Sequence, residues 1–259
     1  MKPPVLLLHG AFCGAWAMDN FATAFQAAGY QTFVPDFRHH GAGRRDLDSL
    51  ATTSVRDYAA DIRGLIESLP ERPIIVGHSM GGLVAQMVAS DGLAAALVLL
   101  APSAPWGVLP SHWNEIASGF GLYLNGQYWE QALLPTYEIA AEHTLHRLPE
   151  RARRAAFDRM VPESGRAVFE VLQWWLDMGR ATEVSAARVA CPVFCAAGGL
   201  DTINPPETVR RISARYRDRA DFHLYDQMSH WLIGEPEWEA VAADALKWLD
   251  LHSLAEVSA

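Results

Sequence analysis

The sequence predicts an α/β fold in which helices cover both faces of a mainly parallel sheet, a doubly wound arrangement, with a helical lid inserted into it. Three observations lead to this prediction. Short apolar runs alternate along the chain with segments of helical period. The runs are continuously apolar, which is typical of strands buried on both faces. The alternation stops between about residues 105 and 186 and then resumes.

The first part of the chain supplies the first four predicted strands. They are expected at 5–8, 30–34, 73–76 and 95–100, and helices are expected at 15–28, 54–69 and 80–90. Gly29 is a typical residue for the end of the first helix, and Ser54 can cap the start of the second. Pro35 and Pro70 each follow the end of an element that they cannot continue.

The second part of the chain resumes the same order after the interruption. Strands are predicted at 192–197 and 222–225, and helices at 207–216 and 236–251. We therefore predict a core domain formed by residues 1–104 and 186–259, with residues 105–185 as a helical cap. The alternative is a pair of ordinary helices packed on the side of the domain. The interrupting stretch is rich in tryptophan: Trp106, Trp113, Trp129, Trp174 and Trp175.

Composition excludes several classes of function. The 259 residues carry a net charge of −9, which argues against nucleic-acid binding because that requires a basic surface. The chain has three cysteines (Cys13, Cys191, Cys195), an odd number that cannot all pair in disulfides. This favours a reducing compartment. No apolar stretch approaches the roughly 20 residues of a membrane span, and the initial apolar run is too short for a signal peptide. We expect a soluble, cytoplasmic protein without membrane attachment.

A nucleophile elbow is the strongest chemical signal. The run Gly77-His78-Ser79-Met80-Gly81 matches the G-x-S-x-G pattern, with an apolar strand before it and a helical segment after it. So tight a turn needs glycine on either side of the nucleophile, and it places the serine hydroxyl at the carboxyl edge of the sheet, where α/β folds bind ligands. Ser79 is therefore the candidate nucleophile.

A serine hydroxyl needs a base, and the base needs an orienting carboxylate. In this type of fold, the acid and then the histidine follow the serine along the chain. Asp201 follows the strand at 192–197, and His230 lies on the loop after the strand at 222–225. We interpret Asp201 as the acid and His230 as the base, with Asp226 as the main rival for the acid.

Two backbone N–H groups are needed to stabilise an oxyanion. One belongs to the residue after the nucleophile, Met80. The other is expected in the loop after the first strand, where Ala11 is the candidate and Phe12 or Cys13 the alternative.

These motifs together resemble those of the α/β-hydrolase superfamily. The matching segments fall in the superfamily's order: His9-Gly10-Ala11, Asp36-Phe37-Arg38-His39-His40-Gly41, Gly77 to Gly81, Gly199-Leu200-Asp201 and Ser229-His230-Trp231. The stretch from His9 to Trp16 is most similar to small plant esterases, hydroxynitrile lyases and related bacterial hydrolases. The resemblance implies the α/β-hydrolase fold with about six strands. It also implies a Ser79–Asp201–His230 triad, with Ala11 and Met80 as oxyanion donors.

This sequence differs from some members of the superfamily at catalytically important positions, and the differences exclude some of their reactions. The hydroxynitrile lyases in question carry threonine where this chain has Gly10, and lysine where it has Trp231. Without that ammonium group, cyanohydrin cleavage is not expected. Superfamily dehalogenases and epoxide hydrolases use an aspartate nucleophile. Ser79 excludes that route, because a serine alkyl ether could not be hydrolysed by the same steps.

Residues close to the triad in sequence are candidates for the substrate pocket. Phe12, Trp106, Met228 and Trp231 could form its walls, although each could equally belong to the core. The His39-His40 pair is interpreted as part of a structural loop, because no acidic or cysteine ligand is spaced around it for zinc. We expect no metal and no cofactor.

The sequence thus predicts a carboxylesterase-like serine hydrolase acting on a small, largely apolar ester, thioester or lactone through an acyl-enzyme. The same triad could instead serve C–C bond hydrolysis, acyl transfer or perhydrolysis. A ligand receptor with slow turnover is a further alternative. The expected partner is a small-molecule substrate, and the protein is expected to be a monomer or a homodimer.

Overall fold

The structure, a computed structural model, describes residues 2–41, 43, 46–112 and 126–252. Its strands are β1 (Val5–Leu8), β2 (Thr32–Phe33), β3 (Ile74–His78), β4 (Ala96–Leu100), β5 (Ala132–Leu133), β6 (Glu163–Ser164), β7 (Val193–Gly198) and β8 (Ala220–Tyr225). Six of them form one sheet in the order β2-β1-β3-β4-β7-β8, and all neighbours pair in parallel. The predicted fold class is confirmed.

The helices connect successive strands and extend into the segment between β4 and β7. They are α1 (Asp19–Ala27), α2 (Leu47–Ala51), α3 (Val55–Glu67), α4 (Met80–Ala89), α5 (Tyr137–Ile139), α6 (Glu150–Phe157), α7 (Gly165–Leu172), α8 (Pro206–Ala214) and α9 (Trp238–His252). Helix α5 continues into a π-helical turn at Ala140–Thr144. Short 3₁₀ turns lie at Ala15–Met18, Tyr128–Glu130, Ala186–Arg188 and Arg217–Arg219.

The sheet separates two hydrophobic cores, which is why its strands are apolar on both faces. Alternate residues of β1 point to opposite sides: Leu6 and Leu8 pack with α3, α4 and α8, whereas Val5 and Leu7 pack with α1 and α9. All residues of the central strands β3 and β4 are buried, and so is the whole of α4. The carboxyl end of β3, where the elbow begins, is therefore packed on both faces of the sheet.

Several boundaries differ from the sequence-based prediction for local reasons. The segment predicted as one helix from 15 to 28 begins with a 3₁₀ turn, because the Asp36 carboxylate accepts the Ala15 N–H at 2.6 Å. Strand β2 is limited to two residues at the edge of the sheet. Helix α2 was not predicted; the Asp46 side chain caps it through the N–H of Ser49.

The chain leaves the sheet after β4 and returns at β7, and the intervening residues 105–185 are called the cap here. Within it, β5 and β6 form an antiparallel pair. Two buried carboxylates bind the cap to the core. Glu163 contacts His40 at 3.0 Å and Tyr58 at 2.6 Å, while Glu170 accepts the N–H of Val55 at 2.9 Å. Trp113, one of the predicted cap tryptophans, lies outside the described residues.

His40 and Glu163 form a fully buried histidine–carboxylate pair. Burial alone would lower the pKa of His40, but attraction to Glu163 outweighs it, and the pKa is raised. Burial alone would raise the pKa of Glu163, but His40 and the donors around the carboxylate lower it. The cap thus contacts the core through a polar pair that is removed from water.

The three cysteines are free thiols. Among the described residues, no helix is long and apolar enough to cross a membrane.

Candidate active site

Ser79 lies between the end of β3 and the first residue of α4. Its backbone adopts φ 53° and ψ −121°, a strained conformation for a residue with a β-carbon. A β-carbon on Gly77 would lie 2.5 Å from the carbonyl oxygen of Gly81, and one on Gly81 would collide with the carbonyl oxygens of Leu8 and His9. The glycines therefore make the tight turn possible, as the elbow motif predicts.

Three polar side chains meet at this turn. The Nε2 atom of His230 lies 3.0 Å from the Ser79 hydroxyl oxygen. Its Nδ1 atom lies 2.8 Å from Oδ2 of Asp201. All three residues are buried, with Ser79 8% exposed and the other two less. The structure thus brings the predicted nucleophile, base and acid into one hydrogen-bonded chain.

The loop after β7 fixes the Asp201 carboxylate. Its other oxygen, Oδ1, accepts the N–H groups of Ile203 at 2.8 Å and Asn204 at 2.9 Å. The Asn204 side chain donates in turn to the carbonyl of Ala101, just beyond β4, at 2.8 Å. Asp226, the rival acid, is exposed. Sequence analysis missed Asn204, although its position three residues after a candidate acid is typical of a carboxylate that accepts backbone N–H groups.

The loop after β1 brings Ala11 next to the elbow. A β-carbon on Gly10 would lie 3.0 Å from that of Ser79, a close contact that a side chain at this position would relieve only by a shift of a few tenths of an ångström. As the first residue of α4, Met80 has an N–H without a partner inside the helix. Within the part of the chain that the structure describes, neither Ala11 nor Met80 donates a backbone hydrogen bond. Both N–H groups therefore remain candidates for the oxyanion donors.

His9 holds the loop after β1 in place. Its Nδ1 atom contacts the Gly10 carbonyl at 2.8 Å, and its Nε2 atom accepts the N–H of Phe37 at 3.1 Å. Burial, and secondarily the nearby His40, lowers the pKa of His9 to about 4. The ring is therefore neutral at pH 7, and the two contacts assign its proton to Nδ1.

His78, immediately before the nucleophile, contacts the backbone of His230. Its Nε2 atom lies 2.8 Å from the His230 carbonyl oxygen, and the two rings pack 4.9 Å apart. Burial, reinforced by His230, lowers the pKa of His78 to about 3. A neutral His78 can donate to that carbonyl without placing a positive charge beside the candidate base. The sequence analysis assigned it no role.

The candidate pocket residues occupy two kinds of position. Phe12 and Trp106 are half-buried, whereas Met228 and Trp231 belong to the hydrophobic core. The Trp106 ring packs edge-to-face on Trp174 at 5.5 Å. A small cavity beside the acid loop is lined mainly by apolar side chains: Val108, Val171, Leu172, Trp174, Trp175 and Ile203.

Polar and charged side chains outside the candidate triad are the remaining candidates for a metal or anion site. Among the described residues, no group of histidine, cysteine, aspartate or glutamate side chains is arranged to hold a metal ion. Several cap arginines form ion pairs: Arg147 with Glu237, Arg154 with Glu150, and Arg159 with Asp19.

Comparisons with known proteins agree with this fold. The model of the alpha/beta hydrolase family matches residues 5–244. A monoacylglycerol lipase from Mycolicibacterium smegmatis is 27% identical over 96% of this chain and 88% of its own length. Epoxide hydrolase A from Mycobacterium tuberculosis is 26% identical over 93% of this chain and 88% of its own length. The crystal structure of an Arabidopsis methylesterase superposes with a TM-score of 0.74 at 15% identity, covering 96% of this chain and 100% of that one.

Proposed function

Because this chain belongs to the alpha/beta hydrolase family, we propose that it is a serine hydrolase that cleaves small, largely apolar carboxylic esters, including thioesters and lactones, through an acyl-enzyme. The observation that carries the proposal is the chain of hydrogen bonds from Ser79 through His230 to Asp201. This is the arrangement that a serine needs to become nucleophilic at neutral pH.

The proposed reaction has two halves. In the first, Ser79 Oγ attacks the ester carbonyl carbon while His230 Nε2 takes the hydroxyl proton. Asp201 holds the imidazole with its proton on Nδ1 and stabilises the imidazolium that forms. The backbone N–H groups of Ala11 and Met80 bind the oxyanion. The tetrahedral intermediate collapses by breaking the bond to the alcohol oxygen, which receives the proton from His230.

The second half repeats these steps with water. His230 takes a proton from a water molecule, whose oxygen attacks the acyl carbon. The new tetrahedral intermediate expels Ser79 Oγ, which regains its proton from His230, and the carboxylic acid leaves. Every proton therefore passes through Nε2, so the reaction depends on that atom being free of hydrogen at the start.

Two observations favour esters over other substrates of related enzymes. The relative from Mycolicibacterium smegmatis is described as a monoacylglycerol lipase, and a monoacylglycerol is a carboxylic ester. Another relative is described as an epoxide hydrolase, but attack of Ser79 on an epoxide would give an alkyl ether that these steps cannot release.

Covalent labelling tests the proposal. A fluorophosphonate probe should add once to wild-type protein and not at all to Ser79→Ala, as measured by intact mass. Ser90→Ala is the matched control, because Ser90 is also buried but lies at the opposite end of α4. Turnover of p-nitrophenyl esters from acetate to laurate should fall by about 10⁴- to 10⁶-fold in Ser79→Ala. Absence of an adduct on folded wild-type protein would refute an activated serine and favour a ligand receptor.

A further inference from the structure

The loop that carries His230 is closed by a buried glutamate. The carboxylate of Glu235 is fully buried and accepts the N–H of Ser229 at 3.0 Å and 3.2 Å through its two oxygens. The Ser229 hydroxyl donates to the same carboxylate. Ser229 directly precedes His230, so this carboxylate determines the path of the backbone from which the imidazole projects.

The other side of this backbone is held by His78. Its Nε2 atom lies 2.8 Å from the His230 carbonyl oxygen. Buried side chains therefore bind both the peptide unit between Met228 and Ser229 and the peptide unit after the His230 α-carbon. A displacement of about 1 Å in a catalytic group can reduce the rate by about a hundredfold.

The positive charge nearest to Glu235 comes from the cap. Arg147, just beyond the π-helical turn after α5, places its Nε atom 3.4 Å from the Glu235 carboxylate. Its Nη2 atom contacts both carboxylate oxygens of Glu237, at 2.9 Å and 3.0 Å. The Arg147 side chain is 23% exposed, whereas that of Glu235 is not exposed. A buried carboxylate needs such a partner, because its charge has lost the stabilisation that water provides.

We propose that Glu235 and Arg147 are positioning residues for His230: the carboxylate holds the loop, and the cap arginine neutralises that carboxylate. The inference rests on the proposed function, in which His230 is the base. It means that a charged residue from the segment between β4 and β7 acts on the base. The contact at Nε is ionic and lacks the geometry of a hydrogen bond, so a lysine at this position would retain most of its effect.

Kinetics of Glu235→Gln and Arg147→Gln on p-nitrophenyl butyrate would test this. Glu235→Gln keeps one acceptor for Ser229 but removes the charge, and should lower kcat by about 10- to 100-fold with KM within about threefold of wild type. Arg147→Gln should lower kcat several-fold, and Arg147→Lys should recover most of that loss. Arg154→Gln is the matched control, because it removes an exposed ion pair inside the cap.

The double variant completes the test. Both residues are proposed to act through one ion pair. The double variant Arg147→Gln with Glu235→Gln should therefore have a kcat only slightly below that of Glu235→Gln alone. Wild-type kcat in Glu235→Gln would overturn the inference, as would strictly multiplicative losses or a failure of Arg147→Lys to recover activity. If Glu235→Gln does not fold, the two Arg147 variants decide alone.

Fluorophosphonate labelling distinguishes a failure of the positioning inference from a failure of the proposed function. If wild type is labelled at Ser79 while Glu235→Gln reacts at the wild-type rate, the positioning inference fails and the proposed function stands. If wild type is not labelled, the proposed function fails, and the inference fails with it.

Discussion

Replacing Asp201 by asparagine should disable the site without unfolding it. Oδ1 of Asp201 accepts two backbone N–H groups, those of Ile203 and Asn204, while Oδ2 faces Nδ1 of His230. In Asp201→Asn, the amide oxygen has to remain opposite the two N–H donors, because an NH₂ group cannot accept from them. The amide nitrogen therefore faces the imidazole.

This orientation reverses the imidazole tautomer. An NH₂ group donates to Nδ1 of His230, so the ring proton moves to Nε2. That atom lies 3.0 Å from Ser79 Oγ and would then donate to it instead of accepting its proton. A wrong tautomer of this kind costs about 10⁴-fold in kcat in a serine protease of unrelated fold. We expect a loss of the same order here, with KM little changed.

The assay is hydrolysis of p-nitrophenyl butyrate together with a thermal unfolding scan. Asp201→Asn should unfold within a few degrees of wild type, because the two side chains have the same shape. Asp226→Asn is the control and should retain wild-type kcat, since Asp226 is exposed. More than a tenth of wild-type activity in Asp201→Asn, or a large loss in Asp226→Asn, would refute the assignment of the acid.

Three further outcomes are expected. Glu163→Ala leaves the buried His40 and two other donors without their acceptor, so it should cost about 3–5 kcal/mol in chemical denaturation, whereas Glu163→Gln should cost less. Gly198→Ala would place a β-carbon against the carbonyl oxygen of Ser229, so kcat/KM should fall together with about 1–3 kcal/mol of stability. His9 has a folded-state pKa of about 4 instead of 6.5, so the unfolded chain takes up this proton first. Its contribution to stability should therefore decline as the pH falls from about 6.5 to 4, by about 3 kcal/mol, and a scan of the thermal midpoint in His9→Gln should lack that part of the slope.

The elements that define the fold could be predicted because each has a local signature. Continuous apolar runs identified the strands, and the glycines around Ser79 identified the elbow. The order of Asp201 and His230 after strand ends was sufficient to place both at one edge of the sheet. These signals depend only on residues close together in the sequence.

The contacts that support the site could not be predicted in this way. Glutamate is usually found on the surface of proteins. The burial of Glu163, Glu170 and Glu235 depends on partners that distant segments of the chain supply. The His40–Glu163 pair joins residues that are 123 positions apart in the sequence, so no local pattern indicates it. The roles of Asn204 and Glu235 likewise emerge only when the loops after β7 and β8 are folded.

The order of strands in the sheet has a consequence for how the protein acquires activity during synthesis. The proposed nucleophile follows β3, but the proposed acid and base follow β7 and β8, the last two strands to leave the ribosome. Strand β7 pairs with β4 across the whole length of the cap, a pairing of high sequence separation that is expected to form late. Under the proposed function, a nascent chain therefore carries Ser79 without its base until the C-terminal strands dock, and hydrolysis is expected only once folding is complete.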